Sequence, residues 1–245
     1  MCDAVLPAWA AKLDILYEDD ICLAVLKPAG LATQAPREFD SLELRVRQLL
    51  AERASAAGNS GEIYLGLPHR LDRAVSGVVL FAKTRRAART LSRQFERRQV
   101  RKLYWACVAG LVEPSEGTWI DFVCKVPDQA RGEVVAPDHP GAQHAILHYR
   151  ALGTTPHGSW LEVELETGRM HQIRLQAMAR GHAVVGDALY GSRTAFGPER
   201  ADEREREIAL LARQIIFVQP DSHAEITVVA PRPPAWSELG LPDDA

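Results

Sequence analysis

The sequence predicts an α+β fold in which a mixed, largely antiparallel sheet carries flanking helices around a central cleft. Strand-like segments mostly follow one another through short connections, which favours antiparallel pairing. Only three or four segments have helical periodicity. The 245 residues contain no internal repeat and no linker-like change in composition, so we expect one domain over residues 1–245.

The first elements are two short strands, predicted at residues 13–17 and 21–26 and joined by an acidic turn. Lys27 stands at the end of the second strand, because the Pro28-Ala29-Gly30 sequence interrupts the extended backbone. Strand ends commonly line clefts, so Lys27 is a candidate site residue, although an ordinary solvated lysine is the commoner outcome.

Helices are predicted at residues 41–57, where Ser41 can act as N-cap, at 84–98, where arginines face outward, and at 168–180. Further strands are predicted at residues 78–82, 102–108, 119–124, 145–152, 160–166, 208–218 and 224–229. Residues 127–143 are rich in proline and glycine and are predicted to form a loop or loose hairpin. The alternating charges of 198–207 predict a solvated excursion, and the prolines after residue 230 predict a tail.

Charge is unevenly distributed along the chain. The whole sequence has a net charge of −3, but residues 69–102 contain eleven basic and two acidic residues, a net charge of +9. Such asymmetry is typical of a face that binds a polyanion. A solvated helix surface produces the same pattern, and we weigh the two interpretations equally.

Several classes of protein are disfavoured by the sequence. The cysteines are widely spaced and form neither a metal motif nor a disulfide framework: Cys2, Cys22, Cys107 and Cys124. His144 and His148 are four residues apart but lie in a predicted strand, so we do not assign them to a metal site. No apolar run approaches the roughly 20 residues of a membrane helix, and no secretory signal is recognisable. We therefore expect a cytoplasmic protein.

The first candidate site residue is Asp72, which lies between Arg70 and Arg73. In an extended segment, residues two apart share a face, so Arg70 and Asp72 should project together. A neighbouring guanidinium favours the ionised carboxylate, which suits a nucleophile and not a general acid. A purely structural Arg–Asp pair would give the same pattern and is commoner in proteins at large.

A second candidate segment follows the strand that ends at Glu166. It offers four side chains with hydrogen-bond donors within six residues, namely Arg169, His171, Gln172 and Arg174. These donors could bind phosphate with help from a helix N-terminus, although the segment lacks the glycines and lysine of a P-loop. Arg174 could instead reach back to a carboxylate at a strand end.

Tyr104 and Trp105 are a third candidate, because neighbouring residues of a strand face opposite ways. One of the two rings should pack in the core, and the other could stack on a base. Core packing alone would explain either ring.

Taken together, these motifs resemble the RluA-type pseudouridine synthases, in family order from about residue 21 to residue 191. The matching segments are Lys27-Pro28-Ala29-Gly30-Leu31, His69-Arg70-Leu71-Asp72 with Ser76-Gly77 and Ala82-Lys83, Lys102-x-Tyr104-x-Ala106-x-Val108-x-Gly110, Thr167-Gly168-Arg169-x-His171-Gln172-Ile173-Arg174, Gly181-His182, and Gly186-Asp187-x-x-Tyr190-Gly191. The combination is specific, although no single segment would be. The strands at about 208–230 would close the domain after these motifs.

The resemblance implies the pseudouridine synthase fold and the isomerisation of uridine in ribosomal or transfer RNA. It implies that Asp72 is the nucleophile, that Tyr104 stacks on the target base and that Arg174 pairs with the carboxylate. It further implies that the reaction needs no cofactor and no metal. We separately expect a monomer, and the short N-terminal stretch leads us to expect no S4 RNA-binding domain. The residues expected to contact RNA are Arg70, Arg73, Lys27, Arg169, His171 and Gln172.

Two alternatives stay open. Four residues depart from the usual family pattern, namely Val75, Met170, Gln176 and Ala183. The departures at Val75, Met170 and Gln176 allow an RNA-binding protein of the same fold without turnover. Without the resemblance, a carboxylate-based hydrolase is conceivable, with Glu166 or Asp187 as a second acid. We rank it last because no proton donor is evident.

Overall fold

The computed structural model describes residues 13–59 and 61–242, so Cys2 and Ser60 lie outside the described part of the chain. Its strands are β1 (Ile15–Glu18), β2 (Cys22–Lys27), β3 (Ser76–Ala82), β4 (Arg101–Ala109), β5 (Glu116–Lys125), β6 (Gly132–Val135), β7 (Gln143–Thr155), β8 (Gly158–Leu165), β9 (Leu210–Val218) and β10 (Glu225–Val229). Its α-helices are α1 (Leu42–Ala56), α2 (Arg85–Glu96) and α3 (Gln172–Ala179). Short 3₁₀ turns cover Ala188–Tyr190, Glu203–Glu205 and Pro234–Leu239.

The strands of the described residues form one sheet in the order β1-β2-β3-β9-β4-β8-β7-β5-β6, with β10 paired to β9. All of these pairs are antiparallel except β3–β9, which is parallel. The predicted α+β class with a mixed, largely antiparallel sheet is confirmed. The late strand β9 inserts between β3 and β4, and this insertion brings distant parts of the chain together.

The first two helices begin where the sequence predicted. The Ser41 hydroxyl accepts a hydrogen bond from the Leu44 N–H at 3.2 Å and caps α1. The Thr84 hydroxyl accepts from the Ala87 N–H at 3.1 Å and caps α2. Helix α2 buries Ala87 and Leu91 and exposes its arginines, as expected for an amphipathic helix at a sheet surface.

The central part of the sheet is covered on both faces, as the alternating side chains of β3 show. Val79 and Phe81 belong to a core cluster that also contains side chains of α1 and α3. Val78 and Leu80 belong to a second cluster on the opposite face, which contains side chains of α2 and the C-terminal turn. Because β3 is buried on both faces, it reads as a continuous apolar run in the sequence.

Helix α3 is shorter than predicted and begins at Gln172 instead of Gly168. The physical reason is His171, whose φ of 52° is left-handed and cannot belong to a right-handed helix. The carbonyl oxygen of the Gln172 side chain accepts hydrogen bonds from the Thr167 hydroxyl at 2.8 Å and from the Arg169 N–H at 3.0 Å. These bonds hold residues 167–171 as an irregular turn in front of the helix.

Two other segments are more ordered than their composition suggested. Residues 132–135 pair with β5 as strand β6, so the hairpin alternative for 127–143 is the one found. The predicted tail instead folds back, and Trp236 is only 1% exposed. Its ring lies 6.4 Å from those of Trp105 and Phe196, between centroids. Burial of this one large side chain overrides the tendency of the flanking prolines toward extended structure.

The described cysteines Cys22, Cys107 and Cys124 are free thiols. Among the described residues, no helix combines the length and the apolar character that a bilayer crossing requires. The same residues contain no group of three or more histidine, cysteine or acidic side chains placed to hold a metal ion.

Candidate active site

A cleft of about 800 Å³ opens between the segment before β3, the ends of β4 and β8, and the start of α3. Asp72, Tyr104, His171 and Arg174 all line it. Asp72 and Arg174 are 102 positions apart in the sequence. The fold therefore gathers three separate motifs around one carboxylate.

The backbone around Asp72 is held rigidly. The buried Thr33 hydroxyl donates a hydrogen bond to the Leu71 carbonyl at 2.8 Å, and its oxygen accepts one from the Leu71 N–H at 3.1 Å. The Val75 N–H donates to the Asp72 carbonyl at 3.1 Å and closes a turn. The Asp72 side chain is 28% exposed, so it remains accessible from the cleft.

Lys27 has a different role from the predicted one. Its side chain is completely buried, and its ammonium donates hydrogen bonds to the carbonyls of Pro28, Leu31 and Arg73 at 2.9, 2.7 and 3.0 Å. Burial lowers the pKa of Lys27 to about 7, and the charge of Asp72 opposes this shift. The expectation that Lys27 contacts RNA is wrong in this structure, because its three donors are used within the protein: two bind carbonyls of the first motif, and the third ties that motif to the Arg73 carbonyl of the Asp72 turn.

Arg174 is the central cation of the cleft and is only 6% exposed. Its Nη1 donates to Oδ2 of Asp72 at 3.1 Å. Its Nε and Nη2 form a bidentate pair with the two carboxylate oxygens of Asp187, at 2.6 and 2.9 Å. Burial alone would favour the neutral form, but the bonds to Asp187 and Asp72 outweigh it and raise the pKa of Arg174.

His171 lies on the other side of Asp72. Its Nε2 is 3.6 Å from Oδ2 of Asp72, and its Nδ1 is 2.7 Å from the hydroxyl of Tyr190. That hydroxyl also accepts a hydrogen bond from the Gly132 N–H at 2.9 Å. Burial lowers the pKa of His171, although the charge of Asp72 opposes the shift, so the ring is neutral at physiological pH.

Tyr104 and Trp105 separate as alternate positions of a strand should. Trp105 packs on the α2 side of the sheet, edge-on to Trp160 with ring centroids 5.0 Å apart. Tyr104 lines the cleft. Burial and the negative charge of Asp72 raise the pKa of Tyr104, so its phenol keeps its proton.

Of the other predicted RNA contacts, three arginines are accessible at the cleft and one glutamine is buried. Arg70 is exposed at the cleft wall, and Arg73 lines the cleft and is half-buried. Arg169 also lines it, with its Nε donating to the His144 carbonyl at 3.0 Å. Gln172 is buried and its amide group is occupied by protein partners, so it supports the turn before α3 instead of presenting donors to a ligand.

Sequence reasoning missed the observed roles of three residues that shape the site. Asp187 anchors Arg174, Tyr190 bonds His171, and the Nε2 of His69 accepts a hydrogen bond from the Leu80 N–H at 2.9 Å. A signal existed for Asp187: a lone acid directly after the apolar Val184-Val185-Gly186 requires a buried cation as partner. The contacts of Tyr190 and His69 depend on tertiary neighbours.

The hydrolase alternative finds no geometric support. Asp187 is 2% exposed and fully engaged by Arg174. Glu166 pairs with Nη1 of Arg98 at 2.9 Å. Both candidate second acids are thus bound to arginines, which disfavours a proton-donating role.

Comparison with known proteins decides the family. A model of the RNA pseudouridylate synthase family matches residues 21–179. The chain belongs to this family. It is 36% identical to an uncharacterised RNA pseudouridine synthase of Synechocystis, over 93% of this chain and 68% of that protein. It is 32% identical to a dual-specificity RNA pseudouridine synthase of Vibrio vulnificus, over 89% of this chain and 82% of that protein.

The fold of this RNA pseudouridine synthase also matches solved structures. Human RNA pseudouridylate synthase domain containing 4 superposes with a TM-score of 0.72, covering 93% of each chain at 24% sequence identity. Human RNA pseudouridylate synthase domain containing 1 gives a TM-score of 0.70 over 95% of this chain, at 23% identity.

Two of the four departures from the family pattern, Val75 and Met170, line the cleft of the synthase, whereas Gln176 and Ala183 do not. Val75 and Ala183 are buried. Gln176 is fully buried, and its amide donates to the Asp121 carboxylate at 2.7 Å. Met170 is 37% exposed and lines the cleft, so it is the departure best placed to alter substrate contacts.

Proposed function

We propose that this enzyme isomerises specific uridines of structured ribosomal or transfer RNA to pseudouridine, with Asp72 as the nucleophile. The observation that carries the proposal is the Asp72–Arg174 ion pair beside Tyr104 in an open cleft. Arg174 stabilises the carboxylate form of Asp72. The contacts that Arg174 and His171 make with Asp72 both involve Oδ2, which leaves Oδ1 for the substrate.

The proposed reaction rearranges one bond and consumes nothing. The target uridine leaves its stack and enters the cleft, as enzymes acting on a base require. Asp72 attacks the base or its ribose, the N1–C1′ bond breaks, and the base turns. A C5–C1′ bond then forms, the C5 proton leaves, and N1 ends with a proton. Asp72 is released unchanged.

Tyr104 and Arg174 have separate proposed tasks. The Tyr104 ring stacks on the target base, and its hydroxyl oxygen takes up the departing C5 proton as its own proton passes on toward N1. Arg174 does not exchange protons, because its raised pKa and its pair with Asp187 keep it charged. Its task is to hold Asp72 ionised and in place.

RNA recognition is proposed to use the basic flank of the cleft. Six arginines of α2 and the residues just after it are exposed: Arg85, Arg86, Arg89, Arg93, Arg97 and Arg98. Phosphate contacts from such a face supply affinity without sequence specificity. The identity of the target uridine would then depend on the shape of a structured RNA and on its unstacked bases.

The proposal is tested by mapping pseudouridine in total RNA from a strain that lacks the gene and from its parent. Because one relative is named a dual-specificity synthase, both ribosomal and transfer RNA are mapped. We expect one or more sites to vanish, to return with the wild-type gene, and not to return with Asp72→Asn. Asp202→Asn, which alters an exposed ion pair with Arg204, is the matched control and should restore every site.

Two results would contradict the proposal. If no site changes while the purified protein still binds RNA, the chain is an RNA-binding protein of the same fold without turnover. If Asp72→Asn restores the sites, Asp72 is not the nucleophile. The expected cytoplasmic location, the monomeric state and the single domain over residues 1–245 stay predictions.

A further inference from the structure

A chain of hydrogen-bonding groups leads from the β5–β6 hairpin to the proposed nucleophile. The Gly132 N–H of β6 donates to the Tyr190 hydroxyl at 2.9 Å. That hydroxyl is 2.7 Å from Nδ1 of His171, and Nε2 of the same ring is 3.6 Å from Oδ2 of Asp72. Tyr190 is 5% exposed and the His171 side chain is 13% exposed, so water competes little for these groups.

The positions of the hydrogens follow from counting donors. The Tyr190 hydroxyl has one proton to donate, and the Gly132 N–H already occupies one of its lone pairs. His171 is neutral, because burial lowers its pKa. Of the two neutral tautomers, the one protonated at Nε2 lets Nδ1 accept the hydroxyl proton and turns an N–H, instead of a lone pair, toward the Asp72 carboxylate, so this tautomer is favoured.

Asp72 needs a second point of attachment. Two of the three bonding nitrogens of Arg174 are engaged by Asp187, so only Nη1 reaches the Asp72 carboxylate. A carboxylate held by one hydrogen bond can still turn about its own axis. A second donor on the same oxygen fixes the plane of the group and the direction of the other oxygen.

We propose that His171 is the positioning residue that supplies this second donor, and that Tyr190 sets the tautomer required for it. The inference rests on the proposed role of Asp72 as nucleophile. In the free enzyme the Nε2–Oδ2 contact of 3.6 Å is longer than a hydrogen bond. It tightens when uridine fills the cleft, as catalytic contacts commonly do.

The backbone of His171 allows this role to be separated from a merely structural one. Its φ of 52° is a conformation that glycine and asparagine adopt more readily than other residues. If the side chain only filled space, His171→Gly and His171→Asn would relieve strain and His171→Gln would not. If the donor matters, the longer amide of Gln can replace Nε2–H, while Asn is too short and Gly has no donor.

The kinetic test measures tritium release from total RNA labelled with [5-³H]uridine in a strain lacking the gene. We expect His171→Gln to keep the highest kcat of the three variants. We expect His171→Asn, His171→Gly and Tyr190→Phe to lose about 10- to 100-fold in kcat, with KM little changed, because a misplaced nucleophile slows the chemical step. Tyr190→Phe keeps the ring that lies 4.8 Å from the Arg174 guanidinium, so it isolates the hydroxyl.

The control is His157→Asn, which replaces an exposed histidine in the β7–β8 turn. Its kcat and KM should equal those of wild type. Thermal unfolding of every variant identifies losses that come from misfolding. A ranking in which Asn and Gly equal wild type and Gln is the slowest would overturn the proposal.

A second test does not depend on activity. Nitrogen-15 NMR of the histidine side chains, with the His171 signals assigned by their loss in His171→Gln, should show a neutral ring protonated at Nε2. In Tyr190→Phe the signals should move toward a mixture of tautomers. A wild-type ring protonated at Nδ1, or a cation at neutral pH, would contradict the inference. If wild type releases no tritium, the proposed function fails, and the NMR result still decides the hydrogen arrangement.

Discussion

Arg174 shows how a buried charge can be tolerated at a residue that must also face substrate. Its guanidinium divides its donors between a fully buried acid, Asp187, and a partly exposed one, Asp72. The bidentate pair with Asp187 sets the orientation of the fork, and the remaining Nη1 is thereby aimed at Asp72. Asp187 thus acts on Asp72 through Arg174.

Asp187→Asn tests this arrangement. Removing the charge of one partner leaves the Arg174 cation buried with half of its compensation, and breaking such a pair typically costs about 3–5 kcal/mol. Urea denaturation should show a large loss in the free energy of unfolding, and tritium release should fall because Arg174 is no longer oriented. The same substitution at the exposed Arg204–Asp202 pair, Asp202→Asn, should change neither quantity. Equal effects at the two sites would refute the distinction.

His69 gives the stability a defined pH dependence. Its Nε2 accepts the Leu80 N–H and its ring stacks on Phe95 with centroids 4.7 Å apart. Burial, with a smaller contribution from the charge of Lys102, lowers the pKa of His69 to about 3. The folded state therefore binds fewer protons than the unfolded state between pH 3 and 6.5, and stability falls as the pH falls through this range.

We expect wild type to lose about 1–2 kcal/mol more than His69→Gln between pH 7 and pH 5, because the amide of Gln can accept the same N–H but does not titrate. Urea denaturation at the two pH values measures the difference. The same pH dependence in both proteins would show that His69 is not the group responsible.

At the scale of elements, α2 connects sequence pattern to function most directly. Its buried residues pack against β3, and Gln94 exchanges two hydrogen bonds with the backbone of Val218 at 2.7 and 3.0 Å. The helix is fixed on its inner side, which leaves Arg85, Arg86, Arg89 and Arg93 exposed on its outer side.

Arg89→Ala and Arg93→Ala should weaken binding of an unmodified transfer RNA transcript. Each phosphate contact removed should reduce the slope of log Kd against log salt by about 0.7–0.9, because fewer counterions are released. Filter binding at several salt concentrations measures the slope. The control is Arg150→Ala, which removes an exposed arginine of β7 that pairs with Glu162 of β8. An unchanged slope in both α2 variants would show that RNA does not contact this face.

The elements that the sequence could predict were those determined locally. Capping hydroxyls and apolar periodicity placed α1 and α2 within a residue or two of their observed bounds. The predicted start of α3 was wrong because His171 has a left-handed backbone, which its residue type did not predict. Strand β6 and the buried Trp236 turn likewise depend on partners that are distant in sequence.

At the scale of the whole molecule, the strand order builds the cleft. Inserting β9 between β3 and β4 sets the Asp72 turn, which precedes β3, near Tyr104 on β4. No local pattern encodes that order. The family resemblance nevertheless predicted that Arg174 pairs with Asp72, and the 3.1 Å contact confirms this pairing. It did not predict the burial of Lys27 or the contact between His171 and Tyr190, since both follow from packing.

The central claim is that the Asp72 carboxylate, held by Arg174, performs the isomerisation. The most direct measurement is tritium release from [5-³H]uridine-labelled total RNA by wild type and by Asp72→Asn, with RNA binding measured in parallel. We expect release by wild type, no release by Asp72→Asn, and similar RNA affinity for the two proteins. Release by Asp72→Asn at the wild-type rate would contradict it.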